Sequence, residues 1–262
     1  MSMLRWTIRY RRRCATPSRA HRRFGRWAWL LVWLTGTALC CERPLRAPDH
    51  DETASPDFRF MVIVARTAGC TIERLPELTR HSRRLMLLEQ GEVDVLSLAS
   101  LRPKRVRYAH FSDPYRMERI GLFARADSTL ASLTLFDLPN VDGDVLAPEG
   151  WFGDEWVKVS RTIKRKHRLT RYSDFQHGLQ LLHATPPRGV VMMGDVDLIL
   201  LASEQHRRPP PRLLGTPFKV EPVHFMFSRK SVAPETVARF NAALKAHPDF
   251  FKALSERRPA IN

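Results

Sequence analysis

Residues 88–125 read LEQGEVDVLSLASLRPKRVRYAHFSDPYRMERIGLFAR, and three features of this stretch agree with one another. An apolar run, Val93 to Leu98, has the length and branched residues of a buried strand, with Gly91 breaking the chain just before it. The run ends at Ser100, and a basic cluster, Arg102-Pro-Lys-Arg105, follows. A Phe-Ser-Asp-Pro-Tyr turn, Phe111 to Tyr115, then leads into a second apolar strand, Ile120 to Arg125. A strand that delivers a hydroxyl and a guanidinium to its C-terminal end makes an anion clamp, because arginine offers a fixed fork of donors that matches a carboxylate. The plainer reading of the same residues is a solvated loop with ordinary turn chemistry.

The segment resembles the bacterial extracellular solute-binding proteins of family 3, the polar amino-acid receptors of ABC importers. The matching residues are Gly91-Glu-Val-Asp94, Ser100, Arg105 and Phe111 to Tyr115, with Arg-Pro-Lys-Arg in place of the family's Thr-Pro-Glu-Arg. The resemblance covers residues 80–125 most closely and stays collinear to about residue 250. It implies an α/β, two-lobed periplasmic binding protein type II fold, each lobe a mostly parallel sheet flanked by helices. It also implies a small amino-acid or carboxylate ligand, no cofactor, an ABC permease as partner, and a monomer without catalytic activity.

The whole chain of 262 residues carries a formal charge of +16, which invites a nucleic-acid reading. Nine arginines lie before Cys41 with no acid among them, so +7 remains for the rest. No zinc-finger spacing, RNA-binding aromatic signature or basic heptad accompanies that charge, and the composition argues against a nucleic-acid partner. The arginine-rich start precedes an apolar run, WAWLLVWLTGTAL (Trp27 to Leu39), and then Cys40-Cys41. A basic region, about a dozen apolar residues and small residues beyond describe a secretory signal, shorter than the roughly 20 residues of a spanning helix. Cleavage near Gly36-Thr-Ala38, lipidation of Cys40 or Cys41, and an uncleaved anchor all stay open. Periplasmic or other extracytoplasmic placement is expected, with the membrane touched only through this segment. Of the four cysteines, Cys70 is expected to stand alone in the mature chain, buried and inert, which leaves neither a disulfide framework nor a metal site.

The remaining pattern divides the chain into a signal or anchor (1–41), a polar linker (42–57), a first lobe (58–124), a second lobe (125–218) and a return to the first (219–262). Residues 42–57, ERPLRAPDHDETASPD, are polar and proline-bearing, and no strand is expected there, so the first lobe is expected to lack its first strand. A helix from Phe58 stops at Gly69, a strand spans Thr71 to Leu75, and a helix spans His81 to Gln90. The second lobe repeats the alternation of strand and helix that marks parallel sheets with crossover helices. In it Gly150-Trp-Phe-Gly153 opens a helix, Leu169 to Tyr172 is a strand, and the VVMMGD strand ends at Asp195.

Open parallel sheets bind ligands beyond the carboxyl ends of their strands. Arg105 and Ser100 there would hold a carboxylate. Asp195 either accepts a ligand ammonium, as the resemblance implies, or is an ordinary helix N-cap. Gly150, Trp151 and Phe152 lie where the family binds the carboxylate with a loop and a helix N-terminus. The family's threonine is missing there, and Trp151 either roofs the ligand or packs between lobes. His81 takes a position that is often aromatic in the family, or is simply an exposed histidine at a helix start. The competing functions are a degenerate receptor, a sensory or interaction module, and a dehydratase of cyclic acids. The last would need a cleft carboxylate with a raised pKa, for which Glu149 and Asp154 are the candidates.

Overall fold

The computed structural model describes residues 41–48, 55–76 and 81–252. The basic segment and the apolar run before Cys41 lie outside the described residues. No helix among the described residues is long and apolar enough to cross a membrane.

In chain order the first part comprises β1 (Leu45–Pro48), α1 (Pro56–Thr67), β2 (Ile72–Leu75), α2 (His81–Gln90), β3 (Val95–Ala99), the single turn α3 (Pro103–Val106), β4 (Ala109–Phe111) and β5 (Arg116–Ala124). The second part comprises a 3-10 turn (Leu135–Asn140), β6 (Val145–Pro148), α4 (Asp154–Arg165), β7 (Leu169–Tyr172), α5 (Phe175–Leu182), β8 (Val191–Asp195), α6 (Val196–Gln205) and β9 (Arg212–Leu213). The chain returns through β10 (Lys219–Ser228) and closes with α7 (Pro234–Leu244). Helix starts follow local chemistry. The Ser55 hydroxyl accepts from the Phe58 amide, Asp174 accepts from the His177 amide, and Pro234 occupies the first turn of α7.

Strand β5 carries the chain from the first lobe into the second, and β10 brings it back. The two pair antiparallel at Met117↔Pro222 and Ile120↔Lys219. The far half of β10 pairs with β3 and β4 in the first lobe, and β5 pairs with β8 and β9 in the second. Pairing is parallel within β1–β2, β6–β7 and β6–β8. Each lobe has its own core. The first is aromatic, with Phe58, Phe60, Phe225, Phe227 and Phe240 all buried. The second packs Trp156 and Ile163 on one face of its sheet and Phe123, Tyr172 and Leu179 on the other. The division into lobes connected by two strands follows from this: neither core crosses β5 and β10.

Two expectations are corrected at the start of the first lobe. Residues 45–48 are a strand and not a linker, and they supply the edge that the lobe was expected to lack. β1 runs parallel to β2 in the register Leu45↔Ile72 to Pro48↔Leu75. It is fixed by Asp94, fully buried just ahead of β3. The Asp94 carboxylate accepts from Arg43 at 2.7 and 2.8 Å, from the Arg46 amide at 2.7 Å and from the Ser231 hydroxyl at 2.6 Å. These donors hold the Asp94 carboxyl far below the usual carboxylate range against the opposing effect of burial. The aspartate of the Gly91-Glu-Val-Asp94 run is therefore a structural clasp for the N-terminal strand.

Cys70 is not alone either: it is disulfide-bonded to Cys41, 29 residues away. The Cys41 amide donates to the Gly69 carbonyl and the Leu45 amide to the Thr71 carbonyl, which lays the two segments side by side. Cys41 thus belongs to the first lobe and not to the leader.

Candidate functional site

A cleft of about 1180 Å³ lies between the lobes. Its first-lobe wall is built from the start of α2 (His81, Ser82, Leu85) and from the α3 turn with its flanks (Arg102 to Arg105, Tyr108). Its second-lobe wall comes from Glu149, Gly150, Trp151 and Asp154 around the start of α4, with Lys164 on α4 and Arg171 on β7. Of the residues expected from sequence, the cleft brings together His81, Arg105, Gly150 and Trp151. Ser100, Phe152 and Asp195 are not among the residues that line it.

Arg105 is held by its neighbours without a carboxylate. Its guanidinium donates to the Ser100 carbonyl at 3.2 Å and lies 3.3 Å from His81 Nε2. An arginine cannot accept, so His81 must present a bare Nε2 to it and carry its proton on Nδ1. Burial, with the charges of Arg105 and Arg84, brings the His81 pKa down to about 4, so the ring is neutral at pH 7. His81 is thus not a free surface histidine: it lines the cleft and orients Arg105. Burial also pushes the Arg105 guanidinium below its ordinary value, a mark of a cation short of a counter-charge.

Ser100 contributes differently from expectation. Its carbonyl orients Arg105, while its hydroxyl donates to the Glu221 carboxylate on β10. Glu221 also takes Lys219 as an ion-pair partner.

Gly150 and Gly153 have φ of 147° and 105°, a region that favours glycine, and between them they shape the loop that presents Trp151. The Trp151 ring lies under the Arg102 guanidinium, 2.9 Å from its centroid, and Lys219 Nζ is 4.6 Å away. Trp151 therefore joins the second lobe to the first and to the returning strand through cation–π contacts. Its indole N–H donates to Asp154 at 3.3 Å. Phe152 packs on the core that contains Trp156.

Asp195 is the N-cap of α6, accepting from the amides of Asp197 (3.0 Å) and Leu198 (3.2 Å). Its second oxygen accepts from Arg116 at 2.9 Å. Arg116 makes a bidentate pair with Asp57 in the first turn of α1, at 2.7 and 3.0 Å. The side chains of this triad are 5 % (Arg116), 0 % (Asp57) and 2 % (Asp195) exposed, so it is a buried ionic bridge. It joins the first lobe, the crossing strand and the second lobe. Tyr115 completes it, donating to Asp57 at 2.8 Å and accepting from the Leu98 amide at 3.0 Å. The position expected to receive a ligand ammonium is thus occupied by a cation of the chain itself.

Besides Asp195, whose carboxyl burial raises, a second raised carboxyl is that of Glu118, on β5 opposite Glu221. Burial first, and then the nearby Asp195, push it up to about 8. The unfolded chain ionises this group near 4.5, whereas the folded chain keeps its proton to about 8. Stability therefore falls as pH rises through that window, by at most about 1.4 kcal/mol per pH unit, and stays flat above it. Glu118→Gln is expected to melt several degrees above wild type at pH 8 and nearly with it at pH 5. A gain of equal size at both pH values, or none, would show that the fold does not hold Glu118 as a neutral acid.

No protein-family model matches the sequence, and a search of curated proteins finds no match. Solved structures do match. A histidine kinase sensor domain with similarity to periplasmic binding proteins aligns over 82% of this chain and 94% of its own, at 18% identity and a TM-score of 0.63. An ancestral arginine-binding protein bound to glutamine aligns over 82% and 97%, at 18% identity and a TM-score of 0.62. An ancestral amino acid-binding protein, a precursor of cyclohexadienyl dehydratase, aligns over 81% and 94%, at 18% identity and a TM-score of 0.60. The chain has the two-lobed fold of periplasmic binding proteins. At this identity the likeness defines the fold, and the chemistry of the cleft is this chain's own.

Proposed function

We propose that this chain is an extracytoplasmic receptor that holds a small carboxylate-bearing solute between its two lobes, with Arg105 as the anion clamp. The observation that carries this reading is Arg105 itself: a half-buried guanidinium, oriented by Ser100 and His81, open to an interlobe cleft and without a carboxylate partner among the described residues. Closure of the lobes excludes water and strengthens that contact, and two connecting strands suit such a hinge. The Cys41–Cys70 disulfide supports placement outside the cytoplasm, since such bonds persist in oxidising compartments. With its sulfur so engaged, Cys41 has no thiol for lipidation.

Delivery to an ABC permease is the role suggested by the resemblance of the Gly91–Tyr115 segment. A sensory role is the second reading, favoured by the sensor domain among the similar structures. Both use the same capture step, and neither requires catalysis. Thermal shift of wild type and Arg105→Ala across a panel of amino acids and small carboxylates tests that step. A solute that stabilises the wild type and leaves the variant unmoved supports the receptor. A folded wild type that no panel member stabilises contradicts it.

A further inference from the structure

The charge around the cleft is one-sided. Arg102, Lys104 and Arg105 face it from the first lobe, Lys164 and Arg171 from the second, against only Glu149 and Asp154. That is an excess of three positive charges, with His81 neutral at pH 7. None of the five cations forms an ion pair among the described residues. Arg171 is bound to its own wall by donating to the Pro148 carbonyl, and Asp154 is occupied by the Trp151 indole.

Of the acids that would suit an ammonium, three are already satisfied, and Glu149, which lines the cleft, sits within the field of the Arg171 charge. Asp195 is closed by Arg116 and two backbone amides. Glu221 is closed by Lys219 and the Ser100 hydroxyl. Glu118 is half-buried and holds its proton at neutral pH. A zwitterion would therefore find donors for its carboxylate and no free acceptor for its ammonium among these three. A cationic solute would meet like charge on both walls, which costs free energy in a partly desolvated cleft.

We infer that the solute is a small polyanion, a di- or tricarboxylate or a phosphorylated acid, gripped between Arg105 of the first lobe and Arg171 of the second. This rests on the receptor reading above and narrows it. Guanidinium groups on facing walls suit such a ligand because each pairs with carboxylate or phosphate oxygens through parallel donors. Domain closure then brings the second arginine onto an anion already held by the first. The ligand preference so defined is opposite in charge to the arginine bound by proteins that share this fold.

Calorimetric titration of the full chain with citrate, pyrophosphate, L-glutamine and L-arginine tests the inference, run at low and at moderate salt. Citrate or pyrophosphate is expected to bind at least about tenfold more tightly than either amino acid, and more weakly as salt rises. Which of the two binds separates the carboxylate source from the phosphate source. Arg105→Gln and Arg171→Gln, each checked for unchanged melting without ligand, are each expected to weaken the polyanion about tenfold or more. Tighter binding of L-glutamine or L-arginine, lost in Arg105→Gln, would overturn the polyanion and leave the receptor standing. Polyanion binding indifferent to both substitutions would also overturn it, as mere attraction to a basic surface. No binding by any probe, with the folded protein also silent across the amino-acid and carboxylate panel, would take down both readings together.

Discussion

Arg116→Met is expected to destabilise the folded chain by about 3–5 kcal/mol, the largest stability loss expected of any single substitution at the lobe junction. The substitution removes the only cation of a buried triad and leaves Asp57 and Asp195 facing each other's charge with no solvent to screen it. A chain of this size loses roughly 2–4 °C of melting temperature per kcal/mol, so a drop of order 10 °C is expected in thermal melts. Arg116→Lys should recover only part of it, because a point charge cannot make the bidentate pair to Asp57 and still reach Asp195. The combination Arg116→Met, Asp57→Asn and Asp195→Asn should recover most of it, since the penalty lies in the unpaired carboxylates more than in the lost attraction. A loss below about 1 kcal/mol for Arg116→Met would mean that the bridge does not hold the lobes together.

Arg105→Ala is expected to weaken solute binding by about 2–4 kcal/mol, roughly 30- to 1000-fold in Kd, with little effect on the melting temperature of the free protein. The two halves of that expectation come from the same geometry. Arg105 touches only a carbonyl and an imidazole of its own lobe, so the fold loses little when it is truncated. A bound anion loses its bidentate, partly desolvated partner, which is where charged contacts count most. Arg105→Lys should fall between the two, keeping the charge and losing the fork. A titration in which Arg105→Ala binds as wild type does would place the clamp elsewhere in the cleft. A variant that also melts far below wild type would assign Arg105 a structural role.

The parts of the fold written locally were legible in the sequence. Helix α2 starts and stops at the expected residues because Gly91 ends an apolar periodicity, and strand β7 and the proline-started α7 carry equally local signals. Strand β1 was not legible. Its four residues, Leu45 to Pro48, sit in a polar stretch and end in proline. What makes them a strand is Asp94, half a hundred residues away, together with the bond from Cys41 to Cys70. The site divides the same way. Arg105 and Trp151, which the resemblance to solute-binding proteins singles out, both line the cleft. The alternative of a helix N-cap for Asp195 is the geometry seen, and its other partner, Arg116, lies 79 residues earlier and gives no local sign of the pairing. Lys164 and Arg171 escaped for a different reason: a cation on an exposed helix face or strand edge looks like any solvated charge. Only the packing of the lobes brings them to the same cleft as Arg105.

Hydrogen–deuterium exchange of the full chain, with and without a saturating solute from the panel, tests most directly that the ligand is held between the lobes. Protection is expected on both walls at once, in peptides covering residues 81–85 and 102–108 of the first lobe and 149–157 and 169–172 of the second. The same solute added to Arg105→Ala should protect neither. Protection confined to one lobe, or appearing away from these segments, would contradict capture in the cleft.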